Sequence, residues 1–388
     1  MNKNTIRALH ILVCLGTGGV ESLLLDWIRR LPAGFHFDFL VLHNAERDHF
    51  AIESGSLVHV IPREICNKPW MYKSFVEELV LKHNYNVVHY HRFAFSGILL
   101  GRMKKIGVPC RIVHSHHTLF QEVSLFKKYS YLPYHWTVNR LLLSLNATHV
   151  LGCSSDAGRF MMGPLWSLLA KCQPLVNGIP LDKFLIRMKS GNRNALCKYF
   201  SIPNDAVVIG SFGRMVPVKN QRLLLEAFSI LAARDPKYWL FIGGEGELRQ
   251  SLERKAQDLG IVHRVLMPGF CDNPIEILGN LFDVFCLPSI AEGLPVSLVE
   301  ATGAGLFSVC SDTITKDITS YFSNRIKTVS LKSDAADWAD ALEYGVSKKM
   351  SQEDGVSLVQ SSPFTIESQL KSLLEIYSHC VTKSEMYA

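Results

Sequence analysis

Apolar residues gather in short runs of about four to eight, and these runs alternate with longer segments of helical period. Arg7–Cys14 is such a run; it ends in a glycine loop, Gly16–Gly19, and Val20–Leu31 follows with helical spacing. Phe37–Leu42, Asn86–His89, Arg111–His114 and Thr148–Cys153 are further runs, with a helix expected over Pro133–Leu145. The alternation lapses in the polar stretch Lys183–Pro203 and then resumes. Ala206–Phe212, Tyr238–Ile242, Val265–Met267, Val284–Leu287 and Phe307–Ser311 read as strands. Asn220–Arg234, Glu247–Leu259, Pro295–Gly303, Ala335–Lys348 and Thr365–Tyr377 read as helices. Strands alternating with helices make a parallel sheet covered on both faces. The pattern predicts two doubly wound, Rossmann-like α/β domains, 1–185 and 186–364, with a last helix over 365–388 packing back on the first.

The 388 residues are 48% apolar and 20% charged, which fits a folded protein and excludes a disordered chain, a collagen and a coiled coil. Residues 1–194 hold 23 Lys/Arg against 12 Asp/Glu, and 195–388 hold 18 against 23. A basic half predicts an anionic partner: a phosphate, a membrane surface or nucleic acid. No recognition motif accompanies the charge, so nucleic acid is not expected. Ten cysteines without a CxxC pair read as reduced thiols and predict a cytoplasmic protein. No apolar run reaches the roughly 18 residues of a membrane span. The Lys3–Leu15 start is read as a first strand, because its apolar part is short and lacks a small-residue cleavage site.

Three loops carry candidate chemistry. Gly16-Thr-Gly-Gly-Val-Glu21 joins a strand to a helix, where backbone N–H groups and the helix dipole suit a phosphate. A plain tight turn explains this loop equally well. A dinucleotide fingerprint would want a small residue at Glu21 and an acid ending the second strand; Asp38 lies at that strand's start, which disfavours a nicotinamide enzyme. Ser211–Asn220 places Arg214 after a strand and Lys219 at a helix start, two cations able to clamp a diphosphate. Pro288–Ala301 places Glu292 and Gly293 in a loop and Glu300 in the helix beyond. Glu300 lies between Val299 and Ala301, and a buried carboxylate needs a partner.

These segments resemble the retaining glycosyltransferases of family 4, which have the two-domain GT-B architecture with domains facing each other across a cleft. The likeness runs through Gly16–Glu21, Asn177–Phe184, Gly210–Asn220, Ile242–Arg249, Met267–Phe270 and Asp283–Gly305. Arg111–His116 and the closing Phe364–Tyr377 resemble the exopolysaccharide and capsule branch. Pro180 and Phe307 depart from the family pattern, away from the diphosphate and ribose positions.

The resemblance implies a set of roles. Arg214 and Lys219 would bind the donor diphosphate, Glu292 the donor sugar and Glu300 the ribose hydroxyls. Backbone groups of Gly293, Leu294, Pro295, Gly18 and Gly19 would meet sugar and phosphates, and Gly269 and Phe270 would lie near the base. His116 would reach the donor near the anomeric carbon with His117 beside it, although His114, His116 and His117 leave the register open. His116, Glu292, Arg214 and Lys219 form the candidate catalytic set.

The histidines at 89, 91, 114, 116 and 117 invite a metal reading, but no cysteine or carboxylate completes a site at the right spacing. Neither a metal nor another cofactor is expected; these histidines are read as donor or acceptor contacts. Leu119–Leu145 interleaves Lys127, Lys128 and Arg140 with Phe120, Tyr131 and Trp136, which suits a membrane surface as well as a core helix with a basic loop. The expectation is a retaining transferase that moves a hexose or N-acetylhexosamine from a nucleotide sugar, UDP first, to a saccharide or polyprenyl-diphosphate-linked acceptor. A sugar-nucleotide epimerase or hydrolase of the same architecture, and a non-catalytic partner subunit, are the alternatives.

Overall fold

The structure, a computed structural model, describes residues 5–16, 18–65, 68–91, 96–118 and 135–385. It divides into two compact units, Met1–Gly178 with Ile366–Ala388, and Ile179–Thr365. By this division the first unit holds 21 Lys/Arg and 14 Asp/Glu, and the second 20 and 21. The basic excess therefore belongs to the first unit, and the second is close to neutral.

The first unit has seven parallel strands: β1 Ile6–Ile11, β2 Phe35–Val41, β3 Val58–Val60, β4 Val87–Tyr90, β5 Cys110–Ser115, β6 His149–Gly152 and β7 Cys172–Pro174. They lie in the order β3-β2-β1-β4-β5-β6-β7, so the winding reverses between β1 and β4. The C-terminal helix Ile366–Glu385 buries Ile366, Leu370, Leu373 and Tyr377 in one core with Trp27, Phe37 and Phe39. Gln369 ties the chain's return, accepting from Trp27 Nε1 (3.4 Å) and Gly178 N (3.2 Å).

Asp38 is fully buried within β2 and accepts from Arg7 Nη2 (2.8 Å), Leu57 N (2.7 Å) and the Tyr85 hydroxyl (2.8 Å), with His36 Nε2 at 2.9 Å. Burial alone would raise its pKa. His36, Leu57, Tyr85 and Arg7 together outweigh that and hold it well below the usual carboxylate range. With its oxygens committed to the fold, Asp38 is a structural carboxylate.

The second unit has six parallel strands: β8 Val207–Phe212, β9 Tyr238–Gly243, β10 Val265–Gly269, β11 Val284–Leu287, β12 Phe307–Ser311 and β13 Ile326–Val329. Their order is β10-β9-β8-β11-β12-β13, with the reversal between β8 and β11. In open α/β sheets ligands bind outside the carboxyl ends of strands at such a switch point.

The polar stretch Lys183–Pro203 is not a linker. It forms two helices, Leu181–Lys189 and Arg193–Phe200. Their apolar stripes are narrow: Phe184 and Met188 are buried on the first and Cys197 on the second. The helix expected over Pro133–Leu145 begins as a π-turn, His135–Asn139, and continues as Arg140–Asn146. Most of the aromatic and cationic Leu119–Leu145 segment lies outside the described residues. Arg140 is buried and donates to the Met161 (3.0 Å) and Phe160 (3.1 Å) carbonyls, so it serves the fold and not a surface.

Gly210, within β8, leaves no room for a side chain: a Cβ there would lie inside the Phe282 ring. Gly210→Ala is expected to destabilise the chain by about 3 kcal/mol, as overpacking of a rigid core does. Urea unfolding would measure this; an unchanged midpoint would mean that Phe282 moves freely.

Candidate functional site

The loops after β8 and β11 meet at the second unit's switch point. After β8, Gly213 N donates to Gly243 O (3.0 Å) and Met215 N to Glu245 O (2.8 Å). Gly244 has φ +136°, and a Cβ there would strike the Gly213 carbonyl, so only glycine permits this approach. The β8 loop also pairs with the β11 loop, through Ile290 N to Val218 O at 2.8 Å. The two loops are thus fixed by backbone before any charged side chain is considered.

On this frame Lys219 Nζ donates to Glu292 Oε1 at 2.6 Å. An ammonium carries three protons, so the pair leaves Lys219 further donors for an anion. The Arg214 side chain is exposed and has no hydrogen-bond or carboxylate partner among the described residues. Its carbonyl accepts from the buried Gln221 amide at 3.0 Å, which anchors its backbone.

Leu294 is buried, and Pro295 leads into the helix Val296–Gly303 as its N-cap residue. Glu300 lies in that helix with no hydrogen-bond partner among the described residues. Burial raises its pKa to about 7, and Arg187 offsets little of this. By accessible surface Glu300 is half-buried, and its carboxylate, held by no side chain among the described residues, stays open to a ligand. Beside the site, Gly269 ends β10 at φ +87° with Glu245 against it, and Phe270 stands 75% exposed.

The structure therefore brings Arg214, Lys219, Glu292, Gly293, Leu294, Pro295 and Glu300 onto two joined loops and one helix. Gly269 and Phe270 lie at the end of a third strand of the same sheet.

In the first unit, Gly18 is the N-cap of the helix Gly19–Ile28. The Glu21 carboxylate folds back against Gly18, so a negative charge already occupies the helix start where a phosphate was expected. His117 is exposed, whereas His116 is buried, with Nε2 2.9 Å from His91 Nδ1.

His89 and His114 are not strand-end groups open to a ligand; both are almost fully buried, with His10. Burial is the main cause lowering the pKa of His10 (to about 3), His89, His91, His114 and His116, so all five are neutral at pH 7. Sequence reasoning missed His10, because a lone histidine in an apolar strand looks like core. The only signal was that it stands on the strand next to β4.

Residues 17–181 match the family model of Glycosyltransferase Family 4, and residues 193–354 match that of Glycosyl transferases group 1. The chain is 29% identical over 346 residues to the glycosyltransferase EpsF of Bacillus subtilis, covering 88% of each chain. It is also 29% identical over 240 residues to the Escherichia coli UDP-Gal:α-D-GlcNAc-diphosphoundecaprenol α-1,3-galactosyltransferase, covering 61% of this chain and 60% of that one. Among solved structures, Anabaena HepE in complex with UDP superposes with a TM-score of 0.75 at 16% identity, over 97% of this chain and 100% of that one. The chain therefore belongs to the glycosyltransferases, joining a family 4 domain to a group 1 domain in the GT-B fold.

Proposed function

We propose that the protein transfers a hexose or N-acetylhexosamine from a UDP-sugar to a saccharide or polyprenyl-diphosphate-linked acceptor in exopolysaccharide or capsule assembly, with retention at the anomeric carbon. One observation carries this reading. At a single switch point the second unit sets a guanidinium and a carboxylate with a pKa of about 7, neither with a hydrogen-bond partner among the described residues, together with a lysine. Two cations suit a diphosphate, and such a carboxylate suits a ribose diol. The exposed Phe270 ring beside them suits a base.

In this reading the second unit holds the nucleotide, while the first supplies His116 and receives the acceptor. Arg214 and Lys219 take the leaving diphosphate's charge, so no divalent ion is assigned to it. The anomeric carbon–phosphate oxygen bond breaks through an oxocarbenium-like state. The acceptor oxygen attacks from the same face, and its proton passes to the departing phosphate.

Two similar proteins support the donor and acceptor: HepE was solved with UDP, and the E. coli relative is named for a diphosphoundecaprenol acceptor. A lipid-linked acceptor also suits the first unit's basic excess. It suits as well the exposed stripe Val138, Leu141 and Leu145, spaced along one helical face. The reading puts the enzyme in the cytoplasm, peripheral on the inner membrane face, where a lipid-linked acceptor is presented; no helix among the described residues is long and apolar enough to cross a membrane.

Calorimetry with UDP-, GDP-, ADP- and TDP-sugars, with and without EDTA, tests the donor. Binding of one UDP-sugar that EDTA leaves unchanged is expected, followed by an α-linked product by NMR from an α-linked donor. Binding of no nucleotide would overturn the proposal. Full-rate cleavage or epimerisation without acceptor would replace transfer by the alternative chemistries.

A further inference from the structure

The first unit's sheet gathers five imidazoles, of which the transfer reaction as proposed uses only His116. The register of β1 on β4 sets His10 directly opposite His89, and β5 adds His114 on β4's other side. His91 and His116 follow just beyond β4 and β5. Each neutral imidazole brings one N–H and one lone pair. His10 Nδ1 lies 3.0 Å from His91 Nε2, His91 Nδ1 lies 2.9 Å from His116 Nε2, and His89 Nδ1 lies 2.6 Å from the Tyr377 hydroxyl. Five of their buried nitrogens have no partner among the described residues: His10 Nε2, His89 Nε2, both of His114, and His116 Nδ1. Buried polar atoms are rarely left so, and each unmade bond is costly.

We propose that His10, His89 and His91 bind a first-row divalent transition ion, zinc foremost, at the carboxyl ends of β1 and β4 in the first unit's sheet. One ring nitrogen from each of the three lies within 4.8 Å of the other two. The 3.0 Å between His10 Nδ1 and His91 Nε2 is close to the roughly 3.3 Å that tetrahedral zinc, with Zn–N about 2.0–2.1 Å, sets between two ligands. Two of the three rings are already braced at their other nitrogen, His89 by Tyr377 and His91 by His116. Metal-binding imidazoles characteristically carry such outer support.

Phe37 and Phe39 stand against His10, with ring centroids 4.5 and 5.8 Å away, and give the site a dry wall. An all-imidazole set suits zinc, copper and nickel and not calcium or magnesium.

The His89 and His91 rings now stack with centroids 4.2 Å apart, and closing on an ion turns them about χ2, a broad torsion. His91, His114 and His116 meet the same distance test, but neither nitrogen of His114 is braced. No carboxylate or cysteine is needed, which is why spacing in the sequence did not reveal the site. The ion would join β1 to β4 and, through Tyr377, to the C-terminal helix.

The test is titration of the chelator-stripped, untagged full chain with Zn2+ by calorimetry, and with Co2+ by visible absorption. One equivalent is expected, with the intense absorption of tetrahedral cobalt. The thermal midpoint should rise by about 5 °C at hundredfold excess over Kd. His10→Gln and His89→Gln should each weaken binding at least about tenfold, and His114→Gln should not. No binding by the folded wild-type chain would overturn the proposal, leaving a hydrogen-bonded imidazole chain only. So would loss of binding in His114→Gln with retention in His10→Gln. These readouts are independent of turnover, so their failure is distinct from failure of the transferase reading.

Discussion

Arg214→Ala and Lys219→Ala are each expected to lower kcat/KM by about two to three orders of magnitude, the usual cost of deleting one group that stabilises developing charge. As the anomeric bond breaks, negative charge grows on the diphosphate, and these two cations are the groups on the β8 loop able to meet it. Arg214 is exposed and makes no ion pair among the described residues, so its removal should leave the thermal midpoint within a few degrees.

Lys219 differs because its ammonium holds Glu292 at 2.6 Å. Lys219→Ala removes a cation and also takes the ammonium away from the Glu292 carboxylate. Its effect should therefore exceed that of Arg214→Ala, and Lys219→Arg should recover part of it. Donor titrations with steady-state kinetics on the three variants measure this. Near-wild-type turnover in both alanine variants would remove the diphosphate role.

The legible and illegible parts of the fold differ in how much of each segment is buried. Val284–Leu287 and Phe307–Ser311 were read from the sequence with the bounds they have in the structure, since a parallel strand covered on both faces is built from apolar and small residues, here Val-Phe-Cys-Leu and Phe-Ser-Val-Cys-Ser. The edge strands Val58–Val60 and Ile326–Val329 gave no such run, because part of each faces solvent. The helices Leu181–Lys189 and Arg193–Phe200 were hidden for the same reason, each offering only one or two buried side chains to set a period.

At the second unit's site, glycines, a proline and paired charges lie on short loops, where local spacing predicts spatial neighbourhood. That spacing located Arg214, Lys219, Glu292 and Glu300. The imidazole cluster is assembled by strand order instead: His10 and His89 are 79 residues apart and become neighbours only because β1 lies beside β4. No local pattern encodes that juxtaposition.

Glu300→Gln is expected to stabilise the free protein and weaken nucleotide binding at the same time. The carboxyl has its pKa raised to about 7, chiefly by burial. A folded pKa above the unfolded one means that the native state prefers the protonated acid. The stability it confers is complete below the unfolded value and falls away as pH rises through about 7. With an unfolded value near 4.3, the ionised group costs the native state up to about 3 kcal/mol at pH 8. Glutamine removes that cost, so the variant should melt higher than wild type at pH 8, with the difference shrinking steadily as pH falls towards the unfolded value of about 4.3.

A ribose diol donating to the carboxylate favours its charged form. Wild-type affinity for the nucleotide should therefore rise between pH 5.5 and 8, and binding near pH 6.5 should release a proton. Calorimetry in buffers of different ionisation enthalpy measures that release. In Glu300→Gln both the release and the pH dependence should vanish, with affinity lowered by about 10- to 100-fold at pH 8, the loss of hydrogen bonds to a charged group. A variant that binds as tightly as wild type with the same proton release would move the ribose contact away from Glu300, and one that melts no higher at pH 8 would mean that the carboxylate is already satisfied in the free protein.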